Sequence, residues 1–119
     1  MKLLIIEDDP LIRKTVELKF RKEGFEVLVS PDGKDGLEKV RTQMPDIVLT
    51  DIMLPYLSGL EIVRAVKAIT SKNIPVIVFS TMGQEAMVEE AYTLGADEFV
   101  KKPFSLAELT IRVKRLVNL

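Results

Sequence analysis

The sequence predicts a single α/β domain: a doubly wound, five-stranded parallel sheet of order 2-1-3-4-5 with helices on both faces. Three observations carry this. Short continuous apolar runs, bounded by acids, Gly and Pro, recur along the 119 residues, the pattern of strands buried on both faces. Between them lie longer stretches with apolar residues three and four apart, as amphipathic helices require. The two patterns alternate with no internal repeat, low-complexity tract or linker, so right-handed helical crossovers between parallel strands are the expected solution. At this length residues 1–119 are expected to form one domain.

The elements follow in order. Leu3-Leu4-Ile5-Ile6 reads as a buried strand that ends in Glu7-Asp8-Asp9. Pro10 suits a first helical turn, and Ile12, Val16 and Phe20 give a stripe on a helix that closes near Gly24. Val27-Leu28-Val29 is a short strand, followed by the turn signal Ser30-Pro31-Asp32-Gly33. Leu37, Val40 and Met44 mark a helix ending before Pro45. Ile47-Val48-Leu49 forms a strand that should stop near Asp51, since Pro55 cannot join a ladder. Ser58-Gly59-Leu60-Glu61 has capping-box spacing and opens a helix carrying Ile62, Val63, Val66 and Ile69. Pro75 to Phe79 is the fourth strand, ending in Ser80-Thr81. Met87, Val88, Ala91 and Leu94 form the next stripe, with Gly95 just past the helix end. Asp97 to Lys101 is a short strand ending at Lys102-Pro103. Ser105 to Glu108 is a second capping box, and Leu109, Val113 and Leu116 face the core from the last helix.

Composition removes several functions. The net charge of −1 gives no electrostatic footprint for nucleic acid. Neither Cys nor His is present, so disulfides, thiol chemistry, imidazole bases and Cys- or His-ligated metals are excluded. Leu3 to Ile6 is too short for a signal h-region, and no stretch nears the roughly 20 apolar residues of a membrane span. A cytoplasmic protein is expected.

Chemistry gathers at the carboxyl ends of the strands, where open parallel sheets bind ligands. The first strand ends in Glu7-Asp8, the third in Asp51, the fourth in Ser80 and the fifth in Lys102. In the predicted order the first and third strands are neighbours, so Glu7, Asp8 and Asp51 share the crevice at the switch point. Carboxylates about 6 Å apart repel by roughly 3 kcal/mol per pair at an effective dielectric near 20. Such a cluster raises one pKa, recruits a cation, or both. With oxygen ligands only, a hard cation fits best: Mg²⁺, with Mn²⁺ as its alternative. The plainer use of these acids is as solvated helix-start residues favoured by the dipole. With metal present, Asp51 becomes a nucleophile toward phosphorus, with Lys102 and Ser80 as phosphoryl-oxygen partners. Each also has an ordinary role: Asp51 as a turn former, Lys102 as a surface lysine, Ser80 as a cap.

The set Ile6-Glu7-Asp8-Asp9, Asp51-Ile52-Met53-Leu54-Pro55 with Gly59, Ser80 and Lys102-Pro103-Phe104 resembles the receiver domain of bacterial two-component response regulators, over essentially the whole chain. The resemblance implies the flavodoxin-like (βα)5 receiver fold. It implies that Asp51 accepts a phosphoryl group from a sensor histidine kinase, a phosphotransfer protein or a small donor. Asp8, Asp51 and the backbone carbonyl of Met53 would ligate Mg²⁺ directly, with Glu7 acting through water. Ser80 and Phe99 would be the switch pair, Lys102 the phosphoryl-binding lysine, and the Lys102-Pro103 bond cis. The first acid is Glu where the family also uses Asp, and Thr81 stands where Ala or Gly is frequent, which predicts narrower access. Met53 and Met82 flank the site, and they are expected to hinder water and lengthen the phosphorylated state.

On this reading Ser80 moves inward on phosphorylation, drags the loop to Gly83 and frees volume for Phe99. The output surface is then the fourth helix, fifth strand and fifth helix, with Glu89, Glu90, Asp97, Glu98, Arg112, Lys114 and Arg115 on it. Glu98, Glu108 and Arg112 resemble receivers that pair symmetrically, so a phosphorylation-dependent homodimer is expected, although Val88 replaces a basic residue. An output domain or effector protein is the other implied partner. These residues offer no direct nucleic-acid or membrane binding. The chain would be a self-phosphorylating and self-dephosphorylating switch rather than a turnover enzyme.

Three rivals are weaker. A haloacid-dehalogenase-type phosphatase needs a carboxylate where Met53 stands, and a cap domain. A flavin or nucleotide binder needs a Gly- or hydroxyl-rich loop where Glu7-Asp8-Asp9 would repel phosphate. A receiver fold that only docks remains the third reading.

Overall fold

Leu3, Leu4, Ile5 and Ile6 are all fully buried in the computed structural model, which describes residues 1–119. They lie in β1 (Lys2–Ile6), which pairs with β2 (Glu26–Ser30) on one side and β3 (Ile47–Asp51) on the other. Beyond β3 come β4 (Val76–Ser80) and β5 (Glu98–Lys101), all parallel, in the order β2-β1-β3-β4-β5. The predicted fold class is the observed one.

Continuous apolar runs are needed because each strand feeds two cores. Leu3, Ile5, Leu49 and Phe79 face α1 (Pro10–Lys22) and α5 (Leu106–Leu116), meeting Val16, Phe20, Leu109 and Val113. Leu4, Ile6, Val48 and Val78 face the other way, toward α2 (Gly33–Gln43), α3 (Gly59–Lys67) and α4 (Glu85–Thr93). A fully buried aliphatic side chain contributes about 1.5–3 kcal/mol, so a polar residue in either register is costly. No helix is long and apolar enough to cross a membrane.

Several boundaries differ from expectation for local reasons. Met44 ends α2 rather than joining it, at φ 46°, because Pro45 disfavours the helical region for the residue before it. The third helix stops at Lys67, so Ile69 packs from the loop beyond it. Ser58 holds the N-cap position of α3 but makes no side-chain cap bond. The entry is fixed by backbone instead, Gly59 N–H donating to Ile52 O at 2.9 Å. At α5 the capping bond does form, Glu108 N–H donating to Ser105 Oγ at 3.2 Å. Gly24 and Gly95 follow α1 and α4 at φ 96° and 110°, as helix-end glycines do.

Candidate functional site

Three neighbouring acids after β1 have three separate tasks. Asp9 caps α1, accepting from Leu11 N–H at 2.9 Å and Ile12 N–H at 3.3 Å. Glu7 turns inward and is fully buried, its backbone held on both sides. Glu7 N–H donates to Ser30 O at 3.0 Å, and the Arg13 guanidinium donates to Glu7 O at 2.8 Å. Asp8, between them, is exposed. The acidic triplet is thus neither wholly a helix start nor wholly a site, and Arg13, one turn into α1, is a support the sequence reading missed.

Asp51 closes β3 beside these residues, with 7% of its surface exposed. Glu7, Asp8 and Asp51 bring one carboxylate oxygen each to within 4.8 Å of one another. Lys102, arriving after β5, bonds Asp51 Oδ2 at 2.7 Å and approaches Glu7 Oε2 at 2.9 Å. The second approach is off the line of a hydrogen bond, so Glu7 Oε2 stays buried without a directed donor. Met53 N–H donates to Asp51 Oδ1 at 3.2 Å, which places the Met53 backbone at the site.

The charges do not balance. Burial pushes the Glu7 carboxyl up from 4.5 to about 7; the Asp51 charge adds to this and Lys102 opposes it. Burial also works to discharge Lys102, but its contacts with Asp51 and Glu7 outweigh that and hold its pKa above the ordinary lysine value. Three carboxylates drawn together, one ammonium against two of them and a Glu7 oxygen without a directed donor make a donor set that fits a hard divalent cation.

Ser80 ends β4, 3% exposed, and β4 runs beside β3 with Phe79 opposite Asp51. Phe99 lies on β5 opposite Val78, turned outward and edge-on to Tyr92 with ring centroids 6.0 Å apart. Both line one groove of about 370 Å³ with Thr81, Glu85, Val88 and Tyr92. Met53 and Met82 are exposed. The Lys102-Pro103 peptide is cis.

The outer face of α4, β5 and α5 differs from expectation at two positions. Asp97 turns away to the amino edge of the sheet, where it accepts from Val76 N–H and from Lys67, both at 2.8 Å. Lys114 reaches across to Glu23 at the end of α1. Val88 is 8% exposed and packs into the core while also lining the groove of Ser80 and Phe99. Arg112 does join this face internally, bonding Glu108 at 2.7 Å, Glu98 at 3.2 Å and Phe99 O at 3.1 Å.

The response regulator receiver domain family model matches residues 3–114. The chain belongs to the response regulator receiver domain family. The receiver is 41% identical over 117 residues to the transcriptional activator protein PfeR of Pseudomonas aeruginosa, covering 98% of this chain and 38% of that protein. It is 37% identical over 116 residues to the transcriptional regulatory protein CseB of Streptomyces coelicolor, covering 98% and 49%. The receiver therefore spans half or less of the length of these two relatives. Among solved structures it resembles a response regulator receiver domain protein from Clostridium thermocellum, with TM-score 0.91, 30% identity and 98% and 94% coverage. A putative response regulator from Chloroflexus aurantiacus gives TM-score 0.90, 27% identity and 99% and 98% coverage.

Proposed function

We propose that residues 1–119 form one phosphoacceptor unit that takes a phosphoryl group on Asp51 from a sensor histidine kinase or phosphotransfer protein and passes the change to the α4–β5–α5 surface. The observation that carries this reading is the single Lys102 ammonium set between Asp51 and a buried Glu7 oxygen that lacks a directed donor. An Asp51 carboxylate oxygen attacks phosphorus, the P–N bond of the donor phosphohistidine breaks, and its electron pair leaves on the imidazole. Lys102 exchanges part of its contact with Asp51 for a phosphoryl oxygen, and the Ser80 hydroxyl donates to another. Asp8, Asp51 and the Met53 carbonyl would hold Mg²⁺ or Mn²⁺ directly, with Glu7 through water, and the ion would offset the charge of the incoming group.

A hydrogen bond to a charged group contributes roughly 1.5–3 kcal/mol. The Ser80 and Lys102 contacts together are of the order of the about 5.5 kcal/mol that takes a two-state equilibrium from 1:99 to 99:1. Phe99 is the group that follows Ser80, since both line one groove. The unit is a switch that turns over its own phosphoryl group once, not an enzyme acting on free substrate. Its output passes to an attached domain or effector, or to a second copy through α4–β5–α5, in the cytoplasm. Transcriptional control, as the relatives' names state for them, would reach DNA through residues outside these 119 or through a partner.

The test is intact mass after incubation with acetyl phosphate, with and without Mg²⁺, beside Asp51→Asn, and repeated with a phosphorylated kinase. One Mg²⁺-dependent adduct absent from Asp51→Asn is expected. An adduct that survives in Asp51→Asn, or none from either donor, would overturn the reading in favour of a docking module. Ser80→Ala should still take the adduct and lose the change at α4–β5–α5.

A further inference from the structure

At the end of β4 one backbone donor has its direction fixed by its neighbours. Ser80 O accepts from Lys102 N–H at 2.7 Å, on the β5 side of the strand. Phe79 O, one residue earlier, accepts from Ile52 N–H at 3.0 Å on the β3 side. In a planar trans peptide the carbonyl and the following N–H point in opposite directions. Thr81 N–H therefore points to the β3 side, toward the strand that ends in Asp51. It is already engaged: Gln84 Oε1 accepts it at 2.8 Å. Gln84 is the N-cap residue of α4, yet its side chain bonds none of the helix's own N–H groups. Its amide is committed to the loop instead. Glu85 accepts Gly83 N–H at 3.2 Å, so the first two residues at the start of α4 hold the whole Thr81–Gly83 loop.

We propose that Gln84 is a positioning residue of the phosphoryl site: its side-chain amide competes for Thr81 N–H and sets how readily the site closes on a phosphoryl group. This rests on the reading of Asp51 as the acceptor. An anionic phosphoryl oxygen is a stronger acceptor than a neutral amide, so the N–H changes partner when Asp51 is loaded. Thr81 is covalently next to Ser80, and Ser80 cannot advance toward Asp51 while that N–H is tied to the start of α4. Releasing Gln84 thus frees the Ser80 loop and uncouples it from α4 in one event. The cost of the release belongs to this chain's choice of Gln at that position, because a shorter or apolar side chain would not reach Thr81.

The experiment titrates wild type, Gln84→Ala and Gln84→Glu with beryllofluoride in excess Mg²⁺, following the Thr81 and Asp51 amides by ¹⁵N NMR. Gln84→Ala should bind about 5-fold more tightly, the effect of removing one competing neutral hydrogen bond. Gln84→Glu should bind several-fold more weakly than wild type, since a carboxylate holds the N–H harder and repels the anion. If the Gln84 bond served only to hold the loop in place, Gln84→Ala would melt at a lower temperature and bind no tighter, and that result overturns the proposal. Equal affinity in all three proteins overturns it alone. Failure of wild type to bind at all overturns the Asp51 reading and this proposal together.

Discussion

Aspartates stand at both edges of the same sheet, and the two edges use them in opposite ways. At the amino edge Asp46 accepts Lys2 N–H at 2.7 Å and the Lys72 ammonium at 2.9 Å. Asp97 accepts Val76 N–H and the Lys67 ammonium, both at 2.8 Å. Each ties the first residue of a neighbouring strand to the strand it precedes, with one charge matched by one. Lys2 N–H, and then Lys72, holds the Asp46 pKa below the ordinary carboxylate range. At the carboxyl edge Glu7 and Asp51 share one lysine with Asp8 close by, and burial pushes Glu7 the other way, to about 7. The same chemical group is a fastener where the fold supplies its donors and a candidate binding site where the fold withholds them.

The largest effect that sharpens this contrast is expected from the two lysines. At pH 8 without metal, Lys102→Met should lower stability by about 3 kcal/mol, because two buried carboxylates lose their only cation. Lys72→Met should cost no more than about 1 kcal/mol, since Asp46 is partly exposed and keeps Lys2 N–H. Equal shifts in urea midpoint would break the comparison.

Next comes pH. Glu7 has a folded pKa of about 7 against 4.5 unfolded, so its contribution is fully present below 4.5 and is lost as pH rises through about 7. The loss is about 3 kcal/mol for the metal-free protein, and Glu7→Gln should abolish that slope. Asp46 runs the opposite way: its contribution is present above the ordinary carboxylate range and disappears as pH falls through its lowered pKa. Urea midpoints measured across pH would show whether the two edges carry opposite signs.

Charge removal should also split by edge. Asp46→Ala is expected to destabilise by about 1–2 kcal/mol, leaving Lys2 N–H unserved. Asp51→Asn, which relieves repulsion with Glu7, should stabilise the metal-free domain by about 1 kcal/mol while ending phosphoryl acceptance. The same sign from both would sink the distinction. The smallest effect concerns Met53, half exposed beside Asp51 at 52%. Met53→Asn should speed loss of the phosphoryl group by a few fold, about 1 kcal/mol in barrier, and an unchanged rate would remove Met53 from the account.

The sequence made the strands legible because β1, β3 and β4 are buried on both faces, which leaves no room for polar alternation. The clustering of Glu7, Asp8, Asp51 and Lys102 was legible once strand order was inferred, since each lies at or just past the carboxyl end of a strand. What escaped were bonds between residues with no shared pattern. Asp97 pairs with Lys67 thirty positions away, so it looked like a surface charge on β5. Lys114 meets Glu23 from the opposite end of the chain. Arg13 and Gln84 sit at helix starts where periodicity is silent, and the only available sign for Gln84 was an amide where Ser, Thr or Asp is usual. The Ser58 box misled because spacing alone does not show that Glu61 N–H is taken by the Ser58 backbone carbonyl rather than by its hydroxyl.

Gly59 carries a consequence for heredity. A methyl group added there would lie 2.3 Å from Asp51 O and 2.7 Å from Ile52 Cα, both backbone atoms that cannot step aside. Helix α3 and the strand that ends in Asp51 are therefore inherited as one piece, and a lesion in either is felt in the other. Second-site revertants selected from Gly59→Ala should fall in the segment between Ile52 and Leu57, where the backbone can be re-routed, and not among the carboxylates whose placement it disturbs.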